Sequence, residues 1–419
     1  MGKTKLSKID NGITIVTHET DSVESVSLGY WVTAGGITEE KSHHGISHYL
    51  EHMAFKGTNL RTAKDIAEEI ESVGGYLNAF TSRDVTAYQS KVLKEDIDLS
   101  VDILSDILVN PTFLSEEMER ERGVILQEIK QSQDTPDDII FDHFQNTAFP
   151  DQPMGRPILG TAEIVSHITT DDLRKYRSEN YTTDSIILAA AGNVSHEKLL
   201  DLANKYIGHI QNTEKKCNKI EPVYVGGHFF DERPKLEQSH VILGFNGLNY
   251  SDKDYYTSAL FSSILGEGMS SRLFQEIREK RGLVYSVYSF TSNYRDAGLF
   301  GIYAATSPSK LEELLDVAYA EIQKMHKNIS IKEFERTKAQ YKSELLMSQE
   351  STSVTCDQVA SQTVLFNRPI SNHEILEKIN AVTIDMIEAY TERLLSSKPT
   401  LIIVGNNDCK QWYERLIAC

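Results

Sequence analysis

The residues best suited to chemistry lie in the segment HYLEH, which contains His48, Glu51 and His52. On a helix, the two histidines are one turn apart and share a face, and Glu51 lies on the same side. Two imidazoles in this arrangement can bind one Zn²⁺, and a neighbouring carboxylate can take a proton from a water that the metal activates. The spacing therefore predicts part of a hydrolytic zinc site.

Two further histidines leave an alternative pair open. His44 and His48 are also four residues apart, but Gly45 lies between them, near the expected start of the helix. His44 also lacks a carboxylate placed as the one in HYLEH is. We favour the pair His48 and His52, and we expect His43 and His44 to lie at a solvated helix entrance.

The element that must position these residues is a short amphipathic helix. Its apolar residues recur at the spacing of one helical face. They are Ile46, Tyr49, Leu50 and Met53. A catalytic zinc needs a third protein ligand and one open position, so another element must supply a carboxylate or a histidine.

A charged helix that begins near Ser115 offers two candidates for the third ligand. Glu121 and Glu128 are seven residues apart and share a face, but they lie roughly 10 Å apart along the axis. Both cannot bind the same ion. Spacing alone leaves open which one is the ligand and which one supports the site.

Composition narrows the function classes. The chain has 419 residues, 40% of them hydrophobic and 25% charged, and a net charge of −18 that argues against nucleic acid or an anionic membrane as partner. Four scattered cysteines without a CxxC pair indicate reduced thiols.

The N-terminal stretch has no apolar signal region, and no run of 18 apolar residues occurs. We expect a cytoplasmic protein without a membrane span, or one of the mitochondrial matrix if a targeting segment has been removed.

Three pairs of segments repeat at a nearly constant offset. The segment VSLGYW matches VILGFN at 215 residues, EMERERGVILQEIKQSQ matches EFERTKAQYKSELLMSQ at 216, and the stretches that end in AAAGN and IIVGN match at 213 to 214. The repeats predict homologous domains at 1–210 and 230–419, joined by a linker at 211–229. The order of strand and helix patterns predicts an α+β fold, with helices packed on mainly antiparallel sheets.

The segment HYLEHMAFKGT, with ERGVILQE downstream, resembles the inverzincin (pitrilysin-like) zinc peptidases. The likeness is close to the β subunit of mitochondrial processing peptidase and its small bacterial homologues. The resemblance implies one zinc per chain, bound by His48, His52 and Glu128, with Glu51 as general base. It also implies that Glu121 supports the site without binding the metal.

Two other segments match the same family. GGYLNAFTSRDVTAYQ resembles its substrate-binding edge strand, on which Asn78, Ala79 and Phe80 would meet an extended peptide by β-augmentation. SSRLFQEIREKRGLVYSVYSF resembles a segment whose Arg and Tyr stabilise substrate from the second half. Here Arg278 and Tyr285 have the required spacing of seven residues.

The second repeat has no histidine where the first has HYLEH, and Thr337 and Glu344 stand in place of its two helix glutamates. The resemblance therefore implies a zinc endopeptidase that acts on extended, unfolded peptides, with basic, presequence-like peptides as one candidate class. It further implies a homodimer in which Arg278 and Tyr285 act on the partner's site. A heterodimer with an inactive homologue is the alternative assembly, and a non-catalytic subunit of the same fold is the alternative function.

Overall fold

The computed structural model describes residues 2–211 and 220–418. The chain divides into two units, each made of three segments. Unit 1 comprises Met1–Lys130, Pro157–Ile220 and Leu346–Ser371. Unit 2 comprises Gln131–Arg156, Glu221–Leu345 and Asn372–Cys419. Residues 212–219 of the predicted linker lie outside the described residues, as does Cys217.

Unit 1 contains a six-stranded sheet in the order β1-β2-β6-β3-β5-β4. Its strands are β1 Lys3–Lys8, β2 Thr14–Glu19, β3 Ser25–Val32, β4 Tyr76–Thr81, β5 Thr86–Leu93 and β6 Ile186–Gly192. The pair β2–β6 is parallel, and all other pairs are antiparallel. β4 forms one edge of this sheet, so its outer backbone groups have no strand partner within the described residues.

The helices of unit 1 cover both faces of the sheet. They are α1 Ile46–Ala54, α2 Ala63–Ser72, α3 Ile97–Val109, most of α4 Ser115–Asp134, α6 Ala162–Val165, α7 Thr170–Asn180, α8 His196–Ile207 and α12 Thr352–Phe366. On β6, Leu188 and Ala190 belong to the core that includes α3 and α8, whereas Ile187 and Ala189 pack with Cys356 and neighbouring residues of α12. The strand reads IILAAAG without polar interruption because both of its faces are buried.

Unit 2 contains a five-stranded sheet in the order β7-β11-β8-β10-β9. Its strands are β7 Gly227–Glu232, β8 Ser239–Asn246, β9 Val284–Asn293, β10 Gly298–Thr306 and β11 Thr400–Gly405. Its helices are α5 Pro136–Ala148, α9 Tyr255–Gly266, α10 Leu311–Lys324, most of α11 Ile331–Ser348, α13 Asn372–Ala381, α14 Ile384–Leu395 and α15 Lys410–Ile417. Among the described strands of this sheet, β7 and β11 pair in parallel and the other pairs are antiparallel.

The two sheets share one topology once β1 is set aside. The order β2-β6-β3-β5-β4 corresponds to β7-β11-β8-β10-β9, and the parallel pair occupies the same place in both. This repetition confirms the predicted α+β architecture of two homologous, mainly antiparallel sandwiches.

The units are not contiguous halves of the chain. Helix α5 follows α4 of the first repeat, but it packs on β8 and β11 in unit 2. Helix α12 follows α11 of the second repeat, but it packs on β2, β3 and β6 in unit 1. The boundaries at 210 and 230 describe the sequence repeats and stay a prediction. None of the helices in the described part of the chain is long and apolar enough to cross a membrane.

Candidate metal centre and peptide-binding edge

The start of helix α1 is held by the buried carboxylate of Glu39. Its Oε2 accepts the backbone N–H of Gly45 at 2.7 Å, and its Oε1 accepts that of Ser47 at 2.8 Å. Gly45 has a φ of +93°, in the left-handed region, and a Cβ there would lie 2.8 Å from the Cα of Gly160. The cap and the close backbone approach fix where the histidine-bearing helix begins.

The structure brings His48, His52 and Glu128 together. One candidate ligand atom from each side chain lies within 4.8 Å of the other two. The Oε2 of Glu128 is 3.7 Å from the Nε2 of His48 and 3.6 Å from the Nε2 of His52. Ligand atoms about 2.0–2.1 Å from a tetrahedral zinc lie about 3.3–3.4 Å from one another. The donor set of two imidazoles and a carboxylate therefore fits zinc in both chemistry and spacing.

Glu121 contacts the opposite nitrogen of the same imidazole. Its Oε2 is 3.1 Å from the Nδ1 of His52, and its Oε1 is 2.6 Å from the Nζ of Lys56. The Glu121 carboxylate is buried, with 9% of its side chain exposed. A carboxylate on Nδ1 holds the ring in the tautomer that leaves Nε2 free for a metal. Glu121 and Glu128 thus lie beside the two different ring nitrogens of His52.

Electrostatics favour the metal-binding form of His48. Burial, with a smaller contribution from the charge of His52, lowers the pKa of His48 to about 4. The ring is therefore neutral at physiological pH, and its lone pair is available to a metal without loss of a proton. The two rings contact each other edge to face, with centroids 4.6 Å apart.

Glu51 is held by the last residue of the edge strand β4. The Thr81 hydroxyl donates to the Oε2 of Glu51 at 2.6 Å. Burial raises the pKa of Glu51, and the Thr81 hydrogen bond opposes this rise. A carboxylate with a raised pKa is a stronger base than an ordinary surface glutamate, which suits proton transfer near neutral pH.

A cavity of about 660 Å³ in unit 1 connects these residues to the edge strand. Glu51, His52 and Glu121 line it together with residues of α2 and with Asn78 and Ala79 of β4. Phe80 lies on the same strand and is partly exposed. The three residues predicted on the edge strand therefore lie at one edge of the sheet, and two of them line the same cavity as Glu51 and His52.

The other predicted residues lie in unit 2. Arg278 lies in a helical turn, Phe274–Glu279, and Tyr285 is the second residue of β9. The guanidinium carbon of Arg278 is 5.4 Å from the centre of the Tyr285 ring, and 83% of Tyr285 is exposed. The structure thus brings these two residues together and leaves the tyrosine accessible.

The histidines before α1 take no part in the metal group. His43 lies on the surface, 3.5 Å from a carboxylate oxygen of Asp172. His44 is buried, and its Nδ1 lies 3.1 Å from the carbonyl oxygen of Lys41. The expectation that both are solvated is wrong for His44, because the turn before the helix folds this side chain into the protein.

The family profile described as Insulinase (Peptidase family M16) matches residues 14–162, and the profile described as Peptidase M16 inactive domain matches residues 167–341. A Rickettsia felis protein named uncharacterized zinc protease is 40% identical over 406 residues, which cover 97% of this chain and 98% of the relative. The chain belongs to peptidase family M16.

Other M16 relatives agree over nearly the full length. The mitochondrial-processing peptidase subunit beta of Saccharomyces cerevisiae is 35% identical over 423 residues, covering 96% of this chain and 91% of that protein. A solved structure of a protease from Helicobacter pylori superposes with a TM-score of 0.91 at 22% identity, covering 97% of this chain and all of the other. The structural likeness supports the fold. The M16 zinc protease relatives, with the His-His-Glu group, support a zinc metallopeptidase.

Sequence reasoning missed two side chains of this M16 site. Thr81 was part of the quoted edge-strand segment, but its bond to Glu51 depends on how α1 lies against β4. Lys56 lies just past the end of α1, four residues after His52, and its ammonium group forms an ion pair with Glu121. Its i, i+4 relation to His52 is a local signal that could have indicated a nearby cation.

Proposed function

We propose that the chain is a zinc-dependent endopeptidase that hydrolyses extended, unfolded peptides. The observation that carries the proposal is the convergence of His48, His52 and Glu128 beside Glu51, at the end of a free edge strand. One side of this arrangement supplies a metal-binding donor set and a base. The other side supplies a backbone edge that an extended peptide can join.

His48, His52 and Glu128 would hold one zinc per chain. When bound, zinc lowers the pKa of water and polarises a carbonyl group. Glu51 takes a proton from the attacking water and passes it to the leaving amine. Its Oε2 is engaged by Thr81, so Oε1 is the atom we assign to proton transfer. Glu121 acts by holding the His52 ring.

The peptide would lie along β4 as an added strand. Backbone hydrogen bonds to the edge bind any extended sequence, whereas a folded protein cannot supply a free strand. Asn78, Ala79 and Phe80 are the residues that we assign to this contact. This binding mode favours unfolded peptides as substrates.

The test is cleavage of a quenched fluorescent peptide by the wild type and by Glu51→Gln, with zinc content measured on the same samples. We expect one zinc per chain in both proteins, and a loss of at least about 100-fold in kcat for the variant. Glu128→Gln should lose zinc. A wild type that binds zinc but cleaves no better than Glu51→Gln would favour the non-catalytic subunit instead.

The same proposal includes a homodimer in which Arg278 and Tyr285 act on the partner's site. The exposure of Tyr285 supports it, since a tyrosine that serves its own unit needs no such exposure. Relatives named as a β subunit make a heterodimer the alternative assembly. The cytoplasmic location stays a prediction.

Complementation tests the shared site. Equal amounts of Glu51→Gln and Tyr285→Phe chains, each of low activity alone, should regain about one quarter of wild-type activity after random subunit exchange. Half of the dimers would then hold one complete site of two. A mixture that regains nothing, while sedimentation shows a dimer, would mean that Tyr285 does not act across the interface.

A further inference from the structure

The helix that carries two of the three candidate zinc ligands begins close to the metal group. His48 is the third residue of α1, Ile46–Ala54, so it lies in the first turn, and helical side chains lean towards the helix start. The backbone N–H groups of this turn have no carbonyl partner within the helix, and they give its start a partial positive charge. A zinc ion held by His48 would therefore add positive charge near an end that is already positive.

The first turn of α1 does not compensate this charge with a side chain of its own. Its sequence, ISHY, contains no acidic residue, and Gly45 at the N-cap has no side chain. A larger residue does not fit at this position, because the φ of +93° favours glycine and a Cβ would lie 2.8 Å from the Cα of Gly160. An acceptor for the helix start must therefore come from outside the helix.

Glu39 supplies this acceptor as a carboxylate. The residue is 5% exposed, and its two oxygens accept the backbone N–H groups of Gly45 and Ser47. Ser47 directly precedes His48 in the chain. Two N–H donors stabilise the ionised form of a buried carboxylate. Burial, and next the negative charge of Glu39, raises the pKa of Tyr176.

Hydroxyl groups tie the segment that carries Glu39 to the helix that carries the histidines. The Tyr176 hydroxyl lies 2.7 Å from the Oγ of Ser47. It also lies 2.8 Å from the Oγ1 of Thr38, the residue directly before Glu39. The Thr38 hydroxyl donates to the carbonyl oxygen of Gly35 at 2.8 Å. These contacts hold the carboxylate in place at the start of α1.

We propose that Glu39 is a positioning residue of the zinc site, whose negative charge at the start of α1 increases the affinity of His48 and His52 for zinc. The proposal rests on the proposed function, since it requires that the His-His-Glu group binds zinc. The Glu39 carboxylate offsets the repulsion between the metal charge and the positive helix start. Because this carboxylate is buried, salt and water screen its charge less than that of a surface glutamate.

The experiment measures the zinc Kd of metal-depleted protein by competition with a chromophoric chelator, for the wild type, Glu39→Gln and Glu39→Asp. Glu39→Gln removes the charge but keeps an acceptor oxygen on a side chain of the same length. It should weaken zinc binding roughly tenfold, the lower end of the effect of a carboxylate outside the ligand set. Glu39→Asp keeps the charge and should bind zinc more tightly than Glu39→Gln. A purely structural cap predicts the opposite order, because the shorter side chain reaches the two N–H groups less well.

Glu40→Gln is the matched control, since Glu40 is the next residue and 76% of its side chain is exposed. Its zinc Kd should equal that of the wild type. If Glu39→Gln is partly unfolded without metal, the rise of its melting temperature with added zinc gives the same comparison, because zinc stabilises the folded chain.

Two results would overturn the role of Glu39: zinc binding by Glu39→Gln as tight as that of Glu40→Gln, or tighter than that of Glu39→Asp. Failure of the proposed function looks different. The wild type itself would then bind no zinc or, with zinc bound, would cleave no peptide faster than Glu51→Gln.

Discussion

Removal of the Glu121 carboxylate should weaken zinc binding without removing a ligand. In Glu121→Ala, the Nδ1 of His52 loses an acceptor at 3.1 Å and Lys56 loses its partner at 2.6 Å. The Lys56 side chain is about one-third exposed and can turn to water, so the loss of this ion pair costs little free energy. The main effect falls on the His52 ring. Loss of such an orienting carboxylate lowers metal affinity about 10–100-fold, or about 1.4–2.7 kcal/mol.

The assay is competition between the protein and a chromophoric chelator of known zinc affinity, which measures Kd without reference to activity. Glu121→Gln keeps an acceptor oxygen for the ring and should lose less than Glu121→Ala. Glu116→Ala is the matched control, because Glu116 lies on the same helix with 82% of its side chain exposed. The reasoning is refuted if Glu121→Ala binds zinc as tightly as Glu116→Ala.

Three further predictions concern the contact of Thr81 with Glu51, the start of α1, and an ion pair between Arg61 and α3. Thr81→Val should lower kcat about tenfold by freeing Glu51, while Thr81→Ser keeps most activity; equal rates for both would contradict this role. Glu39→Ala should destabilise the protein by about 1–2 kcal/mol in urea unfolding, because two N–H groups at the start of α1 lose their acceptor, and an unchanged midpoint would mean that water replaces the cap. Arg61→Met should cost about 3 kcal/mol in the same assay, because it leaves the buried Asp106 carboxylate without its cation; the double variant with Asp106→Asn should recover part of this loss, and no recovery would argue against the pair.

The candidate site shows why part of its geometry is readable from sequence. His48, Glu51 and His52 lie within one helical turn of each other, so their common face follows from helix geometry alone. The duplication was also readable, since repeated segments at a constant offset require no knowledge of contacts. Both features are local or self-similar, and the sequence by itself determined them.

Spacing left open which of the two helix glutamates lies beside the Nε2 atoms of the histidines, and only the tertiary structure decided their positions. Glu121 and Glu128 share one face of α4, and spacing left both open as ligands. The crossing of α1 and α4 places Glu128 against both Nε2 atoms and Glu121 against the Nδ1 of His52. The imidazole bridges two carboxylates that are too far apart to bind one ion.

The packing of α5 and α12, each on the sheet formed by the other sequence repeat, was equally hidden from the sequence. An amphipathic helix shows which of its faces is apolar, but not which sheet that face will cover. The thiol of Cys356 therefore packs against the first sheet, and Asp357 reaches β5 of unit 1 although it lies in the second repeat. The sequence determined the helices and the chemistry of their side chains, whereas packing between distant segments decided which of those side chains meet.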